Sequence, residues 1–165
     1  MVKNNVTRFL SAKKADFETL ESEPIKRSAL ENAALFGLDP AIVYKSIICF
    51  NPAHEKYLIC LVPGPYEVNP KKLAQVLGEK KVFVTSQKEA EKITGLEAGG
   101  ISPFALIHKG FQMLAHNTLN NQEKIAISGG QRGLTILIKA TDLIRILNPK
   151  IADIADEHSG SEDLV

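Results

Sequence analysis

Val43-Tyr44-Lys45-Ser46-Ile47-Ile48-Cys49-Phe50 decides the fold, because it is largely apolar on both faces of an extended chain. Val43, Ile47 and Cys49 alternate with Tyr44, Ile48 and Phe50, a pattern that suits a strand covered on both sides. Asn51-Pro52 ends it, and Tyr57 to Val62 is the expected antiparallel neighbour, ahead of Pro63-Gly64-Pro65. One residue does not fit. Lys45 shares the parity of Val43, Ile47 and Cys49, where an ammonium is hardest to accommodate. Either its stem lies on apolar surface with the charge in water, or it is a desolvated cation at a pocket mouth, placed for an anionic or carbonyl group.

On the N-terminal side, Asn4 or Asn5 caps a helix carrying Val6, Phe9 and Leu10, and Asp16 to Glu21 reads as extended. Ser28-Ala29-Leu30-Glu31 matches a capping box, opening a short helix that Gly37 stops. On the C-terminal side, Asn69-Pro70 starts a helix closed by Gly78, and Lys81 to Val84 is a short strand. Ser86-Gln87-Lys88-Glu89 is a second capping box, and Thr94-Gly95 ends its helix. Phe104 to Ile107, Met113 to Ala115, Ile125 to Ile127 and Leu134 to Ile138 read as strands. Thr141-Asp142 caps a last helix through Leu147, and Ile151 to Ile154 adds one short turn. Interleaved helices and frequent hairpins predict an α+β single domain: a mixed, mostly antiparallel twisted sheet, partly barrel-like, flanked by short helices. It is expected to span residues 1–156, with an acidic, Ser/Gly-containing tail at 157–165 predicted to be disordered.

The 165 residues are 44% hydrophobic and 24% charged with a formal net charge of +1, which excludes a histone-like or polybasic binder. Any contact with RNA must come from a local patch, for which Lys13-Lys14, Lys71-Lys72 and Lys80-Lys81 are the available pairs. Cys49 and Cys60 lie in apolar runs and read as buried free thiols of a reducing, cytoplasmic compartment. Met1-Val2-Lys3-Asn4-Asn5 turns polar at once, so no secretory leader is expected, and no apolar run approaches membrane-spanning length. The four histidines have no metal-ligand spacing, and the G-x-G-x-x-G, Walker and G-x-S-x-G patterns are absent, so neither metal nor cofactor is expected.

Two glycine clusters stand out. Gly99-Gly100-Ile101-Ser102-Pro103 lies between apolar segments, and its bare backbone can turn several amides toward one developing negative charge. Ser128-Gly129-Gly130-Gln131-Arg132-Gly133 follows about thirty residues on, with Arg132 as a candidate for a phosphate partner. Both loops and Lys45 are expected to meet at one pocket.

The ordered set Val43-Tyr44-Lys45, Thr94-Gly95, Gly99 to Pro103, Ser128 to Gly133 and Asp142-Leu143 resembles the YbaK family, free-standing relatives of the editing domain of bacterial prolyl-tRNA synthetase. The resemblance runs from the first helix to about Asp156. It implies release of wrong amino acids from the acceptor end of mischarged tRNA, above all cysteine from proline tRNA. The protein would act in trans, alone or with prolyl-tRNA synthetase, without metal or cofactor. It further implies that Lys45 and the amides of Gly99, Gly100, Ile101 and Ser102 act on the ester, with Pro103, Ser128, Gly129, Gly130 and Arg132 shaping the pocket. A cysteinyl ester would be released by its own thiolate attacking the carbonyl, and a neighbouring branch clears alanine with water instead. Leu20 and Ser22 stand where family members carry tyrosine and histidine, and Thr135 where some carry an acidic residue; all three bear on which amino acid is accepted.

Overall fold

The computed structural model describes residues 2–158. Asn4 caps α1 (Asn5–Ala12), its side chain accepting the Thr7 N–H at 2.9 Å while Thr7 Oγ1 accepts the Asn4 N–H. β1 (Phe17–Glu21) follows, then α2 (Ala29–Phe36), where Ser28 and Glu31 form the reciprocal capping box and Gly37 closes in the left-handed conformation. A 3-10 turn leads into β2 (Tyr44–Asn51), which folds back as β3 (Lys56–Pro63), with β4 (Tyr66–Val68) directly after. Asn69 caps α3 (Pro70–Leu77), β5 (Phe83–Val84) is two residues long, and Ser86 caps α4 (Gln87–Thr94) by accepting the Glu89 N–H at 3.1 Å. Then come α5 (Pro103–Leu106), β6 (Gln112–His116), β7 (Lys124–Ser128), β8 (Leu134–Lys139), α6 (Ala140–Leu147), β9 (Lys150–Ala152) and β10 (Ala155–Glu157).

The central sheet has the order β5-β2-β3-β6-β9, with β2 antiparallel to β3 and β5, and β6 parallel to both β3 and β9. An antiparallel sheet, β1-β8-β7, lies across it, and β4 pairs with β10. A single parallel bridge, Val43 to Ala126, joins the two larger sheets. The sheet is mixed and mostly antiparallel, as the sequence predicts. Among the described residues no sheet closes on itself, so the arrangement is not a closed barrel.

The apolar character of both β2 faces has a direct cause. Tyr44 and Ile48 join Ile59, Leu61 and Ala115 in a core closed by Ile125, Ile127, Ile136 and Ile138 of the second sheet, and by Val6, Leu10, Phe104 and Leu143 of the helices. On the opposite face, Cys49, Leu58, Cys60 and Val62 pack under Leu73 and Ala74 of α3 and under Ile154 and Ala155.

Four local expectations are corrected. Phe104 to Ile107 is helical: Pro103 takes the first helical position and the Ser102 hydroxyl accepts the Phe104 N–H at 3.2 Å. A four-residue apolar run does not distinguish a buried helical turn from a strand, and here the cap decides. Asp142 does not cap α6, which begins at Ala140; its carboxylate accepts the Asp16 N–H at 2.7 Å and pairs with Arg145 at 3.1 Å. Ile151 lies in β9 rather than in a turn, aligned with Ala115 of β6. The tail expected from Glu157 begins inside β10, where Glu157 pairs with Tyr66, and residues 159–165 lie outside the described residues.

Gly133 ends the loop before β8 at φ +83°, and a Cβ there would stand 2.6 Å from the Ser22 carbonyl oxygen. Gly133→Ala is expected to destabilise the fold by about 2–3 kcal/mol in urea unfolding, through left-handed strain plus this clash. The Asp16 N–H, with Arg145, holds the Asp142 carboxyl below its usual value. A folded-state value below the unfolded one contributes stability above the unfolded value and loses it as pH falls through the folded one. Melting followed from pH 6 to pH 2 should therefore show a shallower acid decline in Asp142→Asn than in the unaltered protein.

Candidate functional site

β2 is paired to β3 along its whole length, but on its other edge only near its ends. Val43, just before it, bridges to Ala126, while Cys49 and Phe50 pair with β5. The Gly64 N–H donates to the Val43 carbonyl at 2.7 Å, and antiparallel alternation then turns the odd-numbered residues of β2 toward β3 and the even-numbered ones away. The Thr85 N–H accordingly reaches the Ile48 carbonyl at 3.0 Å. Between these two pairings the main-chain N–H and C=O of Ser46 face a gap in the hydrogen-bonded framework. A cavity of about 550 Å³ occupies that gap, walled on one side by Val43 to Ile48.

Around the cavity the structure brings together Lys45, Gly99, Ile101, Ser128 and Thr135 from the sequence-predicted set. The remaining members stand behind the wall. Ser102 is fully buried as the α5 cap, and Pro103 is buried with it. Leu20 is half-buried and pairs with Thr135 across β1 and β8. Gly130 packs on Val6, and the Gly129 carbonyl accepts from the Asn4 side chain at 3.0 Å. Arg132 donates to the Ala98 carbonyl at 2.8 Å and pairs with Glu97 at 3.2 Å, clamping one glycine loop to the other. Gly100 serves the same junction. A Cβ there would lie 3.0 Å from Gln131 Cα, and its N–H is engaged by the Glu97 carbonyl at 2.8 Å. The N–H groups of Gly99, Ile101 and Ser102 have no protein acceptor among the described residues.

Lys45 is 22% exposed, and its Nζ lies 2.8 Å from Glu67 Oε1 of β4, which His158 Nε2 also approaches at 3.0 Å. Burial raises the Glu67 carboxyl, but the hydrogen bonds and charges of Lys45 and His158 outweigh it and hold the group below its usual value. Glu67 escapes sequence reading because nothing marks a glutamate on a three-residue strand as the acceptor of a lysine 22 positions away. Also unforeseen are the Ile25 to Ala29 wall and the Val84 to Gln87 wall, whose only sequence signal is a pair of helix caps. Glu31, the one carboxylate in the lining, is turned to the Ser28 N–H at 2.9 Å. The lining contains no histidine, aspartate or cysteine, and the Ser46 hydroxyl is buried without a hydrogen-bond partner among the described residues. No cluster of three or more His, Cys, Asp or Glu among the described residues is placed to hold a metal ion.

The sequence profile of the aminoacyl-tRNA editing domain matches residues 23–146. A candidate Cys-tRNA(Pro)/Cys-tRNA(Cys) deacylase of Enterococcus faecalis, EbsC, is 27% identical, with 92% of this chain and 93% of that protein covered. The multifunctional Ser/Thr-tRNA deacylase ProXp-y of Escherichia coli is 24% identical over 93% of this chain and 95% of its own length. The proline–tRNA ligase of Geobacter metallireducens is 28% identical over 87% of this chain, which corresponds to 24% of that enzyme. Among solved structures, the hypothetical protein APE2540 superposes with a TM-score of 0.85 at 21% identity, covering 93% of this chain and all of that one. A candidate trans-editing enzyme for prolyl-tRNA synthetase superposes with a TM-score of 0.72 at 17% identity, covering 94% and 99%.

The Lys45–Glu67 pair is half open to water on its acidic side (Glu67 is 53% exposed), so it contributes little to stability. Glu67→Gln is expected to change unfolding free energy by less than about 1 kcal/mol in urea titrations at moderate salt.

Proposed function

The chain belongs to the aminoacyl-tRNA editing domain family, and from that premise we propose that it is an aminoacyl-tRNA deacylase that acts in trans on mischarged tRNA, with Cys-tRNA(Pro) as its substrate. The observation that carries the reading is one cavity lined by Lys45 together with Gly99 and Ile101. Such a site can position an acyl ester and stabilise the charge that grows on its carbonyl oxygen. It offers no activated protein nucleophile: the lining hydroxyls have no histidine beside them, and Cys49 and Cys60 are buried outside it. A route in which the substrate supplies its own nucleophile fits that inventory.

For a cysteinyl ester, the substrate thiolate sulfur attacks the carbonyl carbon. The C–S bond forms as the carbonyl electrons move to oxygen, where the Gly99 and Ile101 N–H groups meet the charge. Collapse breaks the bond to the ribose 3′ oxygen. That oxygen takes up a proton, balancing the one lost by the thiol, and a thiolactone departs. Lys45 reaches the ester by leaving Glu67, at small cost because the pair is solvent-screened. A second reading, removal of serine or threonine by water, is favoured by the hydroxyl-rich lining of Ser46, Ser128 and Thr135 and by the likeness to ProXp-y.

A deacylation panel with Cys-, Ser-, Thr- and Ala-tRNA(Pro), extended by 2-aminobutyryl-tRNA(Pro), separates these readings. Cysteine release should exceed 2-aminobutyrate release by about 10²-fold or more if the thiol is the nucleophile, whereas comparable rates with Ser-tRNA support the water route. No release from any member would refute the assignment. Lys45→Ala should lower kcat/KM for the preferred substrate by about 10²–10³-fold with its melting temperature unchanged within a few degrees.

A further inference from the structure

The open edge of β2 meets the cavity with main chain. Ser46 stands on that edge between two pairings, the Val43 bridge to Ala126 before it and β5 from Cys49 onward, and neither β7 nor β5 pairs with it. The next carbonyl on the edge, that of Ile48, is taken twice, by the Thr85 N–H at 3.0 Å and the Thr85 hydroxyl at 2.9 Å. Ser46 lines the cavity and is only half-buried, yet its hydroxyl oxygen is shut from solvent. The surface it offers is therefore that of its main chain and Cβ.

In an antiparallel pair that exchanges both hydrogen bonds, one residue donates its N–H and accepts at its C=O on the same side, with a single partner residue. Ser46 is turned this way, because its register with Leu61 of β3 directs both groups to the gap. An α-aminoacyl ester carries the complement, an ammonium donor and a carbonyl acceptor on one α-carbon, spaced as in an extended residue. A hydrogen bond from an ammonium to a carbonyl is charge-assisted, so such an edge reads the free amine as well as the acyl group.

We propose that the substrate's aminoacyl group docks on β2 as one residue of an added antiparallel strand, its α-ammonium donating to the Ser46 carbonyl and its ester carbonyl accepting the Ser46 N–H. The inference rests on the deacylase reading and deepens it, by naming the substrate class as L-α-aminoacyl esters with a free amine. The ester carbonyl oxygen keeps a second lone pair for the Gly99 or Ile101 N–H. Handedness follows from the pairing. Directly opposed L residues carry their side chains on one face, so the substrate's side chain lies on the Ser46 face, shared by Tyr44 and Ile48 and covered by Ile127. A D residue held by the same two bonds turns its side chain to the face of Lys45 and Ile47.

The test compares release by the unaltered protein from three tRNAs, charged with L-cysteine, with D-cysteine, or with 3-mercaptopropionate, which is cysteine without its amine. Each rate is divided by spontaneous release from the same tRNA, and the trio is built on serine if serine is the residue released. kcat/KM should fall by about 10–100-fold without the amine and by about tenfold or more for the D enantiomer. The pairing itself is read by amide exchange in NMR, with an acceptor-stem hairpin RNA carrying L-cysteine on an uncleavable 3′ amide. The bound hairpin should slow exchange of the Ser46 N–H by about tenfold or more, and its mercaptopropionyl counterpart should slow it less. Ser46→Pro removes that N–H at an edge position where proline is tolerated, and should lose about tenfold in kcat/KM beyond whatever Ser46→Ala loses. A melting curve shows whether this variant folds, and if it does not, the exchange measurement on the unaltered protein decides. Equal corrected rates with and without the amine, equal rates for both enantiomers, or a Ser46 amide left unprotected by the bound hairpin overturn the docking while deacylation stands. Failure to release any amino acid from any tRNA removes the deacylase reading, and the docking with it.

Discussion

The unpaired edge of β2 between Val43 and Cys49 governs the rest of the structure. A strand inside a sheet normally hydrogen-bonds on both sides, and main-chain groups left open cost free energy unless water or a ligand takes them. Here the second sheet pairs its main chain with this edge at Val43, just ahead of β2, through Ala126, and β5 takes up pairing again at Cys49. The interval is bridged by side chains and loops, so the cavity is as long as the missing pairing. Every wall follows from that gap: the Gly99 loop closes one end, β5 and the start of α4 another, and the Ile25–Ala29 segment covers the top.

The glycine clusters act at two levels. Gly99 and Ile101 line the cavity, and their N–H groups have no protein acceptor among the described residues. Gly100, Gly129, Gly130 and Gly133 are small for a different reason, because a Cβ at each would meet Gln131, Leu134, Val6 or Ser22 at 3.0 Å or less. At Gly100 the main chain of one loop packs directly on that of Gln131 in the other, and Arg132 locks the junction through the Ala98 carbonyl. The fixed shape of the junction comes from that packing rather than from the loops themselves.

Much of the fold is legible in the sequence, because its signals are local and physical. The Ser28, Asn69 and Ser86 caps each mark a helix start to the residue, and of the two candidates for the first helix, Asn4 and Asn5, Asn4 is the cap. The double-faced apolarity of Val43 to Phe50 announces two covering layers. What is not legible depends on distant geometry. Phe104 reads as strand because a short buried run has no period, and β9 is hidden because parallel pairing to β6 gives no hairpin signal. Lys45 declares itself as the charge in an apolar run, while Glu67, which holds its ammonium, has no such contrast. The two walls at Ile25 and Val84 are equally silent, since both are connections between elements.

Cys49 and Cys60 carry a last consequence. They lie on neighbouring strands, fully buried beneath α3, and the adjoining Cys49 thiol together with burial pushes Cys60 well above its ordinary value. Both thiols are shut away from solvent, so alkylation by iodoacetamide reports global opening of the molecule rather than the state of the cavity.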